Sequence, residues 1–365
     1  MFNRIFPSLL ICLLASGILA NAQKKKVKPY SELPVIQSKD TELDTQVLPP
    51  PKEPRAVVAA ETGKLTFSLV PFSRKGLLSQ QTREALHDLV RGRDTVVKLR
   101  AFVAGSGDAR RVLEIAGEMF AEKHRDVPAL SVVQAGALPL EGAQIALEVT
   151  TVGKKVVNPN GLGFFSAQVG PSIAGAASKL SAEFAKAGLQ PADALRVTCF
   201  VNSLDAAGDW RGALNGFSAA AVNVVQMMRE AVGPAAACEA VARLTSAPSA
   251  PVSFLDSSPD ASAAVLVNTP QLIFTGIQMV FGQKPGDVRQ AYQRLNSALN
   301  GVNSSFGQMI VTGTYLLFTS VKEPAREIRA EMSGKQSSPA ETVLPFEGLA
   351  SSDATMGIDG IAAPR

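Results

Sequence analysis

The sequence predicts an α+β protein built from three tandem copies of one β-β-α-β-α-β-β unit. Two observations predict it. Pro-Ala pairs stand at 128, 234 and 339, so that 234 − 128 = 106 and 339 − 234 = 105. Around each pair, segments of alternating apolar and polar residues exchange with segments whose apolar residues recur at three and four, in the same order each time. These are the periods of a half-buried strand and of an amphipathic helix. A repeat near 100 residues is too long for a solenoid and fits whole domains.

Taken in order, the chain begins with Arg4, an apolar run from Leu9 to Leu19 and the small-x-small ending Ala20-Asn21-Ala22. This describes a secretory signal peptide over 1–22, cleaved after Ala22, and predicts a secreted or periplasmic protein. The run is shorter than the roughly 18–20 residues that cross a bilayer, so no membrane span is expected after cleavage. Residues 23–62, with LPPPKEP at 48–54, read as a Pro/Lys-rich flexible linker.

The first unit spans 63–152. Residues 65–70 alternate as a strand, and 79–90 form a helix carrying Thr82, Leu86, Leu89 and Val90. A strand over 96–105 leads to a helix capped by Asp108, with Val112, Ile115, Met119 and Phe120 on one face. Strands at 130–135 and 144–152 close it. The second unit, 153–257, has strands KKVVNP and GFFSAQVG, then a helix through Ala177, Leu180, Phe184 and Ala187, then a strand over 195–203. A second helix is read from Leu214, Phe217, Ala221, Val224 and Met228, followed by GPAAACEAVARL (233–244) and 252–255 as strands. The third unit, 258–365, has strands AAVLVN and LIFTGIQMVF, a helix through Val288, Ala291, Leu295 and Leu299, the strand MIVTGTYLLFTS, and a short helix from Pro324. ETVLPF and ATMGIDGIA complete it.

Composition excludes several functions. A net charge of +4 with one Trp and three Tyr leaves no nucleic-acid footprint. The exported part keeps Cys199 and Cys238, both in strands of the second unit, where a thiol serves as a small buried apolar group; a single disulfide between them stays open. His87 and His124 have no Cys/His/Asp spacing around them that suggests zinc, and neither metal nor cofactor is expected. GSGDARRV (105–112) supplies Gly105 and Gly107 but places Arg110 at the third glycine of a dinucleotide turn, so it reads as a strand-to-helix turn. Ser73-Arg74-Lys75-Gly76, just before a helix, is either an anion site or a solvated loop.

QTREALHDL (81–89), RVTCFVNSLDAAGDW (196–210), PAAACEAVARL (234–244) and QAYQRLNSALNGV (290–302) resemble the reactive-intermediate deaminase (Rid, YjgF-like) family. FFSAQVG (164–170) and FTGIQMVFG (274–282) look like that family's Ser-Gly-Gln strand. The resemblance implies a chorismate-mutase-like fold and homotrimers with ligand clefts between subunits. Three copies in one chain then imply an intramolecular pseudo-trimer and a monomer in solution. Family deaminases hold the substrate carboxylate with an arginine of the Pro-Ala-Arg strand, whose planar fork pairs bidentately. The matching positions are Leu130, Ala236 and Glu341. The glutamate that orients a water matches Ala146, Ser253 and Gly357, with Glu148 and Asp359 two residues beyond. Gln168, Asn215 and Cys238 in the second unit and Gln278 in the third match other cleft residues; each also reads as an ordinary structural residue.

The expectation is therefore an exported, catalytically degenerate Rid-like protein that binds a small molecule or an envelope partner in its inter-domain clefts. Two alternatives accompany it. One is an active imine or enamine deaminase with a site rebuilt around Arg74 or Cys238. The other is a structural or interaction protein of the cell envelope.

Overall fold

The computed structural model describes residues 50–227, 235–333 and 338–365. The expected signal peptide over 1–22, residues 23–49, Met228, Gly233 and Pro234 lie outside these. The first strand, β1 (Val57–Glu61), falls where the sequence reads as linker. The first unit follows as β2 (Leu65–Leu69), α1 (Leu78–Arg91), β3 (Thr95–Ala104), α2 (Ala109–Glu122), β4 (Ala129–Ala135) and β5 (Ile145–Val152). The second comprises β6 (Leu162–Gly170), α3 (Ile173–Lys186), β7 (Ala194–Val201), α4 (Trp210–Ala213), β8 (Ala221–Gln226) and β9 (Ala236–Arg243). A hairpin of β10 (Val252–Ser257) and β11 (Ser262–Val267) leads into the third. That unit holds β12 (Gln271–Thr275), β13 (Gln278–Phe281), α5 (Pro285–Asn300), β14 (Met309–Leu316), α6 (Lys322–Ser333), β15 (Ala340–Pro345), β16 (Gly348–Leu349) and β17 (Ala354–Ala362).

Local chemistry explains the helix limits. Asp108 caps α2 by accepting from the Arg110 amide, and Gly105, at φ 60°, makes the left-handed turn that precedes it. In α1, Leu78, Thr82, Leu86 and Val90 repeat every fourth residue and are buried against the sheet. In α3 and α5 the buried row steps four, three and four instead, through Ile173, Ala177, Leu180 and Phe184 and through Val288, Tyr292, Leu295 and Leu299.

One strand order recurs three times: β2-β5-β3-β4, β6-β9-β7-β8, and β12 with β13 beside β17-β14-β15. Within each, the two strands that follow helices are parallel and the last strand is antiparallel between its neighbours. A register irregularity precedes the same rung in each, at Val96/Lys98, Ala194/Arg196 and Met309/Val311. The rungs Arg100↔Glu148, Thr198↔Glu239 and Gly313↔Asp359 are therefore equivalent. Two residues further on, Phe102, Phe200 and Tyr315 pack together around Phe346 between the sheets.

The strand leading into each unit pairs with a different unit. β1 runs antiparallel to β12, and β11 runs antiparallel to β6. The third lead segment, 154–159, makes no strand, contrary to the reading of KKVVNP. Its Val157 and Asn158 amides nevertheless both donate to Gly63 O, at 2.7 and 2.9 Å, and the Asn158 side chain donates to Leu65 O. The exchange thus runs from first to third, third to second and second to first.

Two expectations for the second unit are corrected. The predicted helix through Leu214 and Val224 is the four-residue α4, a short 3₁₀ turn and the strand β8. Ala221–Gln226 is rich in β-branched valine, and its pairing with β7 outweighs the helical spacing. Consequently PAAACEAVARL contributes the last strand, β9, and the counterpart of β4 and β15 is β8. Ala236 stands on the wrong strand to match Leu130 and Glu341; the residue in register is Val222. Ser253 lies in the β10 hairpin, and Ala237 takes its place beside Ala146 and Gly357. Cys199 and Cys238 face each other across β7 and β9, with Cα atoms 4.1 Å apart, and form a disulfide.

Candidate functional site

The positions in register with the substrate arginine of the resemblance are Leu130, Val222 and Glu341, and each has a different fate. Leu130 is buried in the helix-facing core of its unit. The turn between β12 and β13 lies over it, with the Ile277 amide donating to Leu130 O at 3.2 Å. Val222 packs among apolar residues of the second unit. Glu341 also faces the helix layer, where a carboxylate needs compensation, and Arg329 of α6 supplies it through a direct ion pair. Both side chains are largely buried, at 11% and 3% exposure.

This pair borders a cavity of about 220 Å³ under α5 and α6, lined also by Tyr292, Thr314, Lys322 and Arg326. In register with Thr314, the sister units carry Ala101 and Cys199, both in solid apolar core. The polar cavity is thus a property of the third unit. Arg329 also donates to Asp260 O at 2.5 Å, and Asp260 is paired with Arg326. Tyr292 Oη and Thr314 Oγ1 approach each other within the cavity wall. Neither completes a hydrogen bond of good geometry among the described residues, although both residues are nearly inaccessible. Burial pushes the Tyr292 phenol up despite the neighbouring Arg329 charge, so it remains protonated and can donate. Lys322 is exposed at the rim, and its amino group has no partner among the described residues.

The groups at this cavity can hold a polar ligand. Both carboxylates at the cavity, Asp260 and Glu341, are engaged by arginines. The Tyr292 and Thr314 hydroxyls, set beside each other without a well-formed bond among the described residues, and the exposed Lys322 ammonium can engage a polar ligand.

A second polar constellation lies where the five-stranded sheet around β5 meets the twelve-stranded sheet that carries the second and third units. Arg100 donates to Glu148 at 2.8 Å and to Glu239 at 2.6 Å, while Lys98 donates to Asp359 at 2.7 Å and to Thr275 O at 2.6 Å. Thr198 and Asn223 donate to Glu148, Thr342 to Glu239, and Ser131 and Tyr315 to Asp359. Arg196 lies 3.6 Å from Glu148 and over the Phe67 ring. Burial works to raise the Glu148 and Asp359 pKa values, but the cations, Arg100 and Arg196 for the first and Lys98 for the second, hold both below the ordinary carboxylate range. The space between these groups is about 60 Å³, room for ordered water. Sequence reasoning noted Glu148 and Asp359 but missed Glu239, whose rung became visible only once PAAACEAVARL was placed as the last strand.

The other candidate residues do not converge. Cys238 is held in the disulfide and is not available as a nucleophile. Gln168 donates to Ser166 O at 3.2 Å, Asn215 is exposed in the 3₁₀ turn, and Gln278 pairs with Ile358 in the β13–β17 ladder. Arg74 lines a separate groove beside α1. The seams expected to be clefts are closed by hydrogen bonds: Glu341 N to Ser166 Oγ at 2.8 Å, and Gly136 N to Gln226 O at 2.8 Å. Among the described residues no cluster of His, Cys, Asp and Glu is arranged for a metal, and no helix is long and apolar enough to cross a membrane.

No protein-family model matches the sequence, and no curated protein is similar to it. Among solved structures, the chain is similar to a YjgF-family protein from Neisseria meningitidis, at 19% identity over 31% of this chain and 95% of that one, with a TM-score of 0.24. It is similar to a YjgF/YER057c/UK114 family member from Mycobacterium tuberculosis, at 19% identity over 27% and 81%, with a TM-score of 0.24. A Rid-family protein of unknown function from Yersinia pestis is matched at 16% identity over 31% and 99%, with a TM-score of 0.28.

Proposed function

We propose that the chain is an exported, single-chain pseudo-trimer of Rid-like domains that has lost deaminase chemistry and binds a small polar molecule in its third domain. The observation that carries this reading is the cavity under α5 and α6, where the adjacent Tyr292 and Thr314 hydroxyls form no well-aligned bond among the described residues and lie beside the Arg329–Glu341 pair. At about 220 Å³ the space suits a molecule of amino-acid size. The hydroxyls hold its polar end and Lys322 meets an anionic group at the rim. Loss of catalysis is supported by Leu130, Val222 and Glu341 at the arginine position and by Ala146, Ala237 and Gly357 at the glutamate position. Export is supported by the N-terminal sequence alone.

Calorimetric titration with a panel of amino-acid-sized polar compounds tests the binding reading. A ligand should bind, and Tyr292→Phe and Thr314→Val should each weaken it by about tenfold, the order of one lost buried hydrogen bond. Undiminished binding in both variants, or no binder in the panel, contradicts the proposal. Purified protein should release ammonia from 2-aminoacrylate generated in situ no faster than a blank. Clear acceleration would restore the deaminase reading.

A further inference from the structure

The first strand of each unit lies beside its last strand, but in the first unit it stops short. In the second unit, β6 passes its irregularity and continues with 168–170 along 236–238. In the third, β13 continues along 354–358. In the first, β2 ends with Leu69 opposite Glu148, and the Val70 amide makes a last bond to Leu147 O at 2.9 Å. Pro71 has no amide to donate, and the chain turns away. Beyond Leu147 no strand among the described residues is paired with β5 on this side. Outward-facing backbone groups alternate along an antiparallel strand, so Ile145, two residues from Leu147, offers its N–H and C=O there. A groove of about 730 Å³ occupies the place of the missing strand.

The helix beside it has changed in step. Counting six residues from the first buried position of each helix gives 78 + 6 = 84, 173 + 6 = 179 and 288 + 6 = 294, that is Glu84, Lys179 and Arg294. Lys179 donates to Val169 O at 2.7 Å and Arg294 to Met279 O, both carbonyls of the continuing strand. Those two residues sit on equivalent rungs, opposite Ala237 and Gly357. Glu84 cannot make that contact and instead accepts from Ser73. The next residue is the small, half-buried Ala85, where the sisters bury Leu180 and Leu295. Leu89 is half-buried where Phe184 and Leu299 are sealed.

The geometry points to a strand-addition site: the groove takes an extended segment of a partner protein as an extra antiparallel strand on β5. Main-chain bonds to Ile145 supply affinity, and an apolar side chain enters between Ala85, Leu89 and Leu147. The partner's acidic residues lie at the C-terminal end of that segment. An antiparallel strand on β5 ends near Gly142, which lies against Arg74. Arg74 and Lys75 are exposed, and neither side chain has a partner among the described residues, whereas Glu84 and Asp88 are engaged by Ser73 and His87.

The test is fluorescence anisotropy with the full chain and a labelled probe peptide, Ile-Gln-Met-Val-Phe-Glu-Glu, which copies residues 277–281 and adds two acids. Saturable binding is expected, with the Ile145 amide slowing in hydrogen exchange by at least tenfold. Ala85→Glu should weaken binding at least tenfold, because it sets a carboxylate where the peptide's apolar side chain enters. The surface variant Arg74→Glu with Lys75→Glu should do the same without touching the core. Absence of binding, or equal binding by both variants, overturns the proposal. So does an Ile145 amide already as protected without peptide as that of Ala236, because the groove is then filled by the chain itself or a second copy.

Discussion

Glu148, Glu239 and Asp359 occupy equivalent rungs of the three units and are answered by Lys98, Arg100 and Arg196. Removing a partner strands a buried charge, and that costs more than the intact pair contributes. Arg100→Met should therefore destabilise the protein by about 3–5 kcal/mol, measured by urea denaturation, since it leaves both Glu148 and Glu239 without their main donor. The pH dependence has a definite sign. The folded pKa values of Glu148 and Asp359 lie below their ordinary values of 4.5 and 3.8. Their contribution is then complete above those ordinary values and is lost as pH falls through the depressed ones. The thermal midpoint should be level down to about pH 5 and drop below about pH 4. Glu148→Gln should remove part of that drop. A midpoint that keeps rising below pH 4 would show that these carboxylates are not ion-paired.

At the scale of elements, β3, α2, β5, α5 and β17 were legible because period, cap and length agreed. Asp108, for instance, announces α2 one residue before it starts. The second unit was misread for one physical reason. Leu214, Phe217, Ala221 and Val224 satisfy a helical period, but half of that stretch is paired as β8 and only four residues form α4. That slip moved PAAACEAVARL one strand early and hid both Val222 and Glu239. The cavity itself was half legible. Glu341 was identified as an anomaly, but its partner Arg329 and the hydroxyls of Tyr292 and Thr314 come from different elements that only tertiary packing brings together. The disulfide stayed open for the same reason, because strand neighbours β7 and β9 are separated by 39 residues. Reduction, or Cys199→Ala with Cys238→Ala, should lower stability by about 2–4 kcal/mol through release of that loop in the unfolded chain. Unchanged denaturation under reducing conditions would argue against the bond.

Across the whole molecule, the exchange of lead strands ties the units into a closed cycle: β1 on β12, β11 on β6, and 157–158 against Gly63. Each unit's inner sheet face is buried by the other two, with Phe102, Phe200 and Tyr315 meeting around Phe346 and the ionic cluster beside them. A separate homotrimer gains the same burial only by association, whereas here the linkers hold the units together at high effective concentration. The equivalent positions are also free to differ, which is how one unit retains a polar cavity and another an open groove. Self-sufficiency within one chain is the claim on which both sites depend. Multi-angle light scattering tests it most directly. The account predicts one species close to the 38.3 kDa chain, less a cleaved N-terminal segment, at every concentration. A stable assembly of several chains as the sole species would contradict it.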